Sequence, residues 1–357
     1  MGIVAAVVLA GAVAGAGLAG AGTSAYLVHN LVADLAGVAD HTDPNLVNGW
    51  GVALNPFGPA WVADNGTGVA TVYDGLGNPA LVPDGTGKLV PLVVQIPGGA
   101  PTGIVFNGSN DFVVSRGGLS GPARFLFASE AGIISAWAPA VDPTHAIVVV
   151  DNSLGGTVYK GLALAGDGTR LLLYATDFHN RRIDVFDKTF APVTTAGGFV
   201  DNNVSDTFGP FGIQSVGGSI YVTYARRDKA GHDDVPGRGE GILNVFSASG
   251  VLVARLAKGG PLNAPWGMAL APANFGTFSN HLIVGNFGDG TINTFDLSRG
   301  RFDGQLARPD GTPIVIPGLW GLAFGNGVSN QPTNVLFFAA GPDDEQHGLY
   351  GRIDLLP

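Results

Sequence analysis

Six times along the chain the same short phrase returns: Trp50-Gly51-Val52-Ala53-Leu54, Thr102-Gly103-Ile104-Val105-Phe106, Lys160-Gly161-Leu162-Ala163-Leu164, Phe211-Gly212-Ile213, Trp266-Gly267-Met268-Ala269-Leu270 and Trp320-Gly321-Leu322-Ala323-Phe324. Its glycines are separated by 52, 58, 51, 55 and 54 residues. A fixed period of this length is the signature of a repeat architecture, and one of about 40–50 residues with many short strands is that of a four-stranded propeller blade. The expectation is an all-β, six-bladed β-propeller with four-stranded blades.

Within each repeat a turn follows the phrase, then an apolar strand ending in polar residues, such as Ala60-Trp61-Val62-Ala63-Asp64-Asn65. Next comes an alternating strand: Val69 to Asp74, Ile133 to Trp137, Ile183 to Asp187, Leu243 to Ser247 and Ile292 to Asp296. Asp-Gly pairs at Asp74, Asp84, Asp167, Asp289, Asp303 and Asp310 suit tight turns, because both residues tolerate the backbone angles such turns demand. Helical periodicity is missing from the repeat region. The sixth repeat stops after its third strand, Leu349 to Asp354, whereas the apolar run Tyr26 to Leu35 precedes the first. That run is expected to complete blade six and close the ring, so that 26–357 forms a single propeller domain.

Residues 3–22 hold only Ile, Val, Ala, Leu and Gly and end in Thr23-Ser24-Ala25. Residues 1–25 therefore read as a cleaved signal peptide, with a retained N-terminal anchor as the rival. The implied location is secreted, periplasmic or cell-surface, with no membrane contact unless the segment is retained. The chain has no cysteine, which removes disulfides, thiolate chemistry and cysteine-ligated metal centres. A net charge of −10 argues against a nucleic-acid partner, which needs basic patches. No nucleophile elbow, zinc-protease helix, phosphate-binding loop or EF-hand loop appears.

The aromatic-Gly first strands and the Ala-Asp second strands resemble those of NHL-type six-bladed propellers. The run Asp43-Pro44-Asn45-Leu46-Val47-Asn48-Gly49-Trp50-Gly51, with Ala60 to Gly68, Phe125 to Glu130 and His347 to Gly351, is similar to an uncharacterised secreted propeller family of exosortase-containing bacteria. That resemblance spans 26–357 and implies the fold, not an activity. The C-terminal sorting helix of some such proteins has no counterpart before Pro357.

In such a ring, the loops entering innermost strands and those joining second to third strands share one face. They define a ligand-binding face of Asn48, Asp64, Asn65, Glu130, Arg181, Arg226, Asn286 and Trp320. Carboxylates and imidazoles among them make Asp64, Glu130, Asp177, His179, Glu345 and His347 a candidate divalent site, oxygen-rich and so suited to calcium or magnesium in the channel. Asp177, His179, Glu345 and His347 are the catalytic candidates. Each carboxylate has the opposing reading of capping its own turn. The segment Arg226 to Glu240, the densest charged stretch, is long enough to lid the channel or to lie in solvent. The shared register of Trp50, Trp266 and Trp320 points to blade packing more than to a stacking platform.

Two functions follow. One is an exported binding or scaffold module that takes a small molecule, glycan or protein on the channel face. The other is a metal-assisted hydrolase, lactonase or lyase with a divalent ion in the channel, an analogy with other propellers.

Overall fold

The computed structural model describes residues 24–357. The signal-peptide or anchor reading falls mainly on 1–23 and lies outside the described residues. Among the described residues no helix is long and apolar enough to cross a membrane. The blade strands form six sheets around an axis, each built outward from one of the repeat phrases and antiparallel except where the short His41–Thr42 strand pairs parallel to Tyr26–Ala33.

Blade one runs Gly49–Leu54, Ala60–Asp64, Val69–Tyr73 and Val93–Gln95, with the hairpin Leu81–Pro83/Leu89–Pro91 inserted before its last strand. Blade two is Pro101–Phe106, Phe125–Ser129, Ile133–Trp137 and Ile147–Asp151. Blade three has Tyr159–Gly166, Leu171–Asp177 and Arg182–Phe186, and its fourth position is reduced to a Phe186–Pro192 bridge. Blades four and five begin at Phe208–Val216 and Pro265–Leu270 and have four strands each.

The repeat glycines are conserved in pattern for a steric reason. A Cβ on Gly51 would lie 2.6 Å from the carbonyl oxygen of Thr102, and one on Gly161 would lie 2.8 Å from that of Phe211. The same overlap links Gly212 to Trp266, Gly267 to Trp320 and Gly321 to Trp50. Six innermost strands thus converge on the axis with backbone against backbone, which a side chain at this position forbids.

Blade six consists of Leu319–Phe324, Leu336–Ala340 and Leu349–Leu355, and Tyr26–Ala33 adds to it as the outer strand. Seven residue pairs, from Tyr26↔Leu355 to Ala33↔Leu349, join the two ends antiparallel, with one bulge between Asn30 and Val32. Tyr26, Leu31 and Val32 are buried, and the Tyr26 hydroxyl donates to the Phe275 carbonyl at 3.0 Å. Apolar layers fill the spaces between blades. Trp61, Phe125 and Trp137 pack between blades one and two, and Val62, Tyr73, Phe337 and Tyr350 across the closing seam.

Candidate functional site

The residues that precede the repeat glycines form a layer across the axis. Trp50 stacks on Trp320 with centroids 3.5 Å apart, and Trp266 meets both edge-on at 5.8 and 5.7 Å. Phe178 and Phe211 join them in one buried cluster, and the half-buried Phe287 packs against it. The tryptophans are therefore core, as their register suggested, but they pack on one another across blades and plug the channel. Below the plug the glycine ring leaves a narrow space of about 40 Å³. That space opens into a cup of about 390 Å³ walled by inner-strand residues such as Val52, Ile104 and Leu322.

Lys160 is the single cation in this layer, and its side chain is only 2% exposed. Its ammonium lies 5.1 Å from the ring centre of Trp50 and 5.9 Å from that of Phe178, within cation–π range. It donates to Oε1 of Glu130 and lies 3.7 Å from Oδ1 of Asp233. A relay of side chains orients Glu130 from the other side. The Trp320 indole donates to Asn48 Oδ1 at 3.2 Å, Asn48 Nδ2 to Asn65 Oδ1 at 3.2 Å, and Asn65 Nδ2 to Glu130 Oε2 at 3.1 Å. Four blades are thus tied together above the plug.

The Arg226–Glu240 insert reaches across this mouth, which brings Asp233 and Asp234 over Lys160. Burial pushes the Asp234 carboxyl up to about 7; Lys160 opposes the rise, while Glu345 and Asp233 add to it. Glu345 is likewise raised by burial and by the charge of Glu130. One oxygen of each, Asp234 Oδ2 and Glu345 Oε1, is buried without a partner. Glu345 closes a run of three residues with left-handed backbone, Asp343, Asp344 and Glu345 at φ 54°, 51° and 66°, a conformation costly for non-glycine residues. These residues line a cleft of about 490 Å³ between blades five and six, with Asp289, Phe287 and Pro236 on its other walls and no basic residue in its lining.

The six-residue metal set does not converge. Only Glu130 and Glu345 face the mouth together, their charges coupled. Asp177 ties its own loop to the segment entering the innermost strand, accepting from Asn180 and from Thr157 Oγ1 and Val158 N at 2.8–3.3 Å. The His347 ring is held by Asp34 at 2.8 Å, and the His179 carbonyl accepts from Arg227. Asp64 is fully buried between blades one and six. The catalytic foursome Asp177, His179, Glu345 and His347 is dispersed with it: the Asp177 and His347 side chains are held by neighbouring residues, and of the four Glu345 faces the mouth. On the ligand face, Arg181 pairs with Asp206, Arg226 with Glu240, and Asn286 braces its own turn through Thr291 and Asp289. Among the described residues Glu130, His232 and Asp233 do bring ligand atoms within 4.8 Å of one another. The Lys160 ammonium already serves as the cation for two of them.

Phe287 is the mouth residue the sequence did not single out; Lys160 and the insert carrying Asp233 and Asp234 fall on the expected loop face but outside the expected site residues. Lys160 carries a visible signal, a lysine where five other repeats place Trp, Phe or Thr.

Fold and site together define a six-bladed propeller with an aromatic-plugged channel and an acidic mouth. No protein-family model matches the sequence. The chain belongs to the same family as two uncharacterised proteins of Acanthamoeba polyphaga mimivirus, R648 and L690. Each is 35% identical, over 336 and 335 residues respectively, covering 92% of this chain and 80% or 85% of theirs. Among solved structures, a protein of unknown function from Bacteroides thetaiotaomicron superposes with a TM-score of 0.56 at 10% identity, covering 93% of this chain and 76% of that one. Virginiamycin B lyase from Staphylococcus aureus gives 0.53 at 13%, covering 93% and 100%. Glucose dehydrogenase gives 0.53 at 14%, covering 91% and 99%. At these identities the likeness is one of fold.

Proposed function

We propose that the protein is a ligand-binding propeller whose site is the acidic cleft and mouth on the channel face, and that its ligand presents an organic cation. The observation that carries this reading is the cleft of about 490 Å³ lined by Asp289, Asp343, Asp344 and Glu345 without a basic counterpart. Its volume lies in the range of small-molecule sites. Phe287, stacked on Trp320 at 4.0 Å, adds an aromatic face suited to an ammonium or guanidinium. Asp234, outside the lining, interacts with Glu345 by charge and adds to the negative field at the cleft. A basic side chain of a partner protein or a free polyamine has this chemistry.

Calorimetric titration of the purified protein with spermidine, arginine amide and a neutral alcohol of similar size tests the reading. Saturable binding of the cations in low salt, weakened about tenfold or more by Glu345→Gln, is expected. Equal behaviour of cationic and neutral compounds overturns it. The metal-assisted hydrolase, lactonase or lyase is the weaker reading, because Glu130 and Asp233 are already engaged by Lys160. Export belongs to the same proposal as an expectation from residues 1–25, and N-terminal sequencing of the mature protein tests it.

A further inference from the structure

Asp64 and Asp177 occupy the same place in their repeats, at the end of the second strand, and both are 0% exposed. Asp177 is saturated by Asn180 of its own loop, by Thr157 and Val158 from the segment entering the innermost strand, and by the Arg182 guanidinium at 3.4 Å. Neither carboxylate oxygen of Asp64 has a partner. Strand pairing sets Val62 opposite Thr71 and Ala60 opposite Tyr73, so Asp64, Thr71 and Tyr73 share one face of blade one. Thr71 is 1% exposed, and its hydroxyl is also without a partner. The Tyr73 hydroxyl donates to Asp43 Oδ2 at 2.9 Å and holds that second carboxylate toward the same face. Thr71 lies close enough for its hydroxyl and amide to act on the Asp64 carboxyl, the negative charge of Asp43 reaches it as well, and both acids act on Tyr73. No ion pair reaches either carboxylate among the described residues.

Two carboxylates and a hydroxyl, all oxygen and without a paired cation, are a hard-metal donor set, Asp64 and Thr71 fully buried and Asp43 half-buried, held by Asn45 and Tyr73. An unpaired carboxylate at full burial is otherwise among the costliest groups a fold can hold. We infer that a single divalent cation, calcium by its preference for flexible all-oxygen sites, binds between Asp64, Asp43 and the Thr71 hydroxyl, away from the channel. Asp43 lies on the segment that leaves the closing strand, its amide donating to Ala33 O at 2.9 Å. The ion therefore pins that segment to blade one across the seam where the ring closes, and its role is to stabilise closure.

The test uses the intact protein, stripped with EGTA and passed through a desalting column. Elemental analysis after dialysis against calcium should give one ion per chain for wild type. Calcium should raise the melting temperature of wild type by several degrees, and Asp64→Asn and the milder Thr71→Val should lose most of that shift. No retained calcium in wild type, or equal retention by Asp64→Asn, overturns the inference. So does a melting temperature that Asp64→Asn raises to the same extent with and without calcium, which would assign Asp64 as a neutral acid in an apolar pocket.

Discussion

Lys160 of blade three lies beneath Asp233 of blade four, its ammonium 3.7 Å from the carboxylate and shared with Glu130 of blade two. One buried cation therefore holds together three blades and the insert that covers the channel mouth. Its removal strands two carboxylates, one of them only 16% exposed, above an aromatic layer. Breaking a buried ion pair from one side is far costlier than the pair is worth.

Lys160→Met should accordingly destabilise the protein by about 3 kcal/mol or more, the usual scale for an orphaned buried charge. The double variant Lys160→Met/Glu130→Gln should recover part of the loss. Urea unfolding followed by tryptophan fluorescence measures both, because the aromatic layer beneath reports directly. A loss no larger for the single than for the double variant would show that the pair is not coupled.

Asp234 sets a pH dependence. With its carboxyl raised to about 7, the folded protein binds more protons than the unfolded chain between about pH 4 and pH 7. Stability should therefore fall as pH rises through that window and level off above it, and the raised Glu345 acts in the same direction. Asp234→Asn should flatten the upper part of the slope. Binding of a cationic ligand should run the opposite way, strengthening from pH 6 to pH 8 as Asp234 ionises. Melting curves and titrations at half-unit pH intervals would show both trends.

Asn48 joins two separable effects. It accepts from the Trp320 indole and donates to Asn65, and its backbone is left-handed at φ 49°. Asn48→Gly removes the hydrogen bonds and should cost about 1–3 kcal/mol, since the buried Trp320 indole and the half-buried Asn65 amide lose that partner. Asn48→Ala keeps the same loss and adds strain at the left-handed position, about 1–2 kcal/mol more. Denaturant midpoints in which the two variants are equal would remove the strain argument.

The closing strand is open to a direct test. Tyr26, Leu31 and Val32 each bury an apolar side chain worth roughly 1.5–3 kcal/mol. Their sum is comparable with the whole stability of an ordinary domain, about 5–15 kcal/mol. A chain beginning at Asp34 should fail to melt cooperatively by circular dichroism, and adding back a synthetic 24–33 peptide should restore a transition. An unchanged melt for the shortened chain would mean that the ring holds without its clasp.

The number of blades, the innermost strands and the clasp are legible in the amino-acid order, because they follow from period. A glycine every 51–58 residues marks where six backbones must touch around one axis, and no other side chain fits there. An apolar strand before the first repeat, and a last repeat one strand short, can satisfy each other only by pairing. The site obeys no such period. Asp64 and Asp177 have the same type, repeat position and burial, yet Asp177 is saturated by two loops and neither Asp64 oxygen makes a hydrogen bond. What separates them is which donors the neighbouring loops supply. Likewise Asp233 meets Lys160, 73 positions earlier, only because the blade-four insert folds back over the axis. Loop side chains take their direction from local backbone angles, such as those of Asn48 and Asp343 to Glu345, and from contacts across blades. Periodicity determined the scaffold; packing between segments far apart in the chain decided which polar groups face the ligand and which face one another.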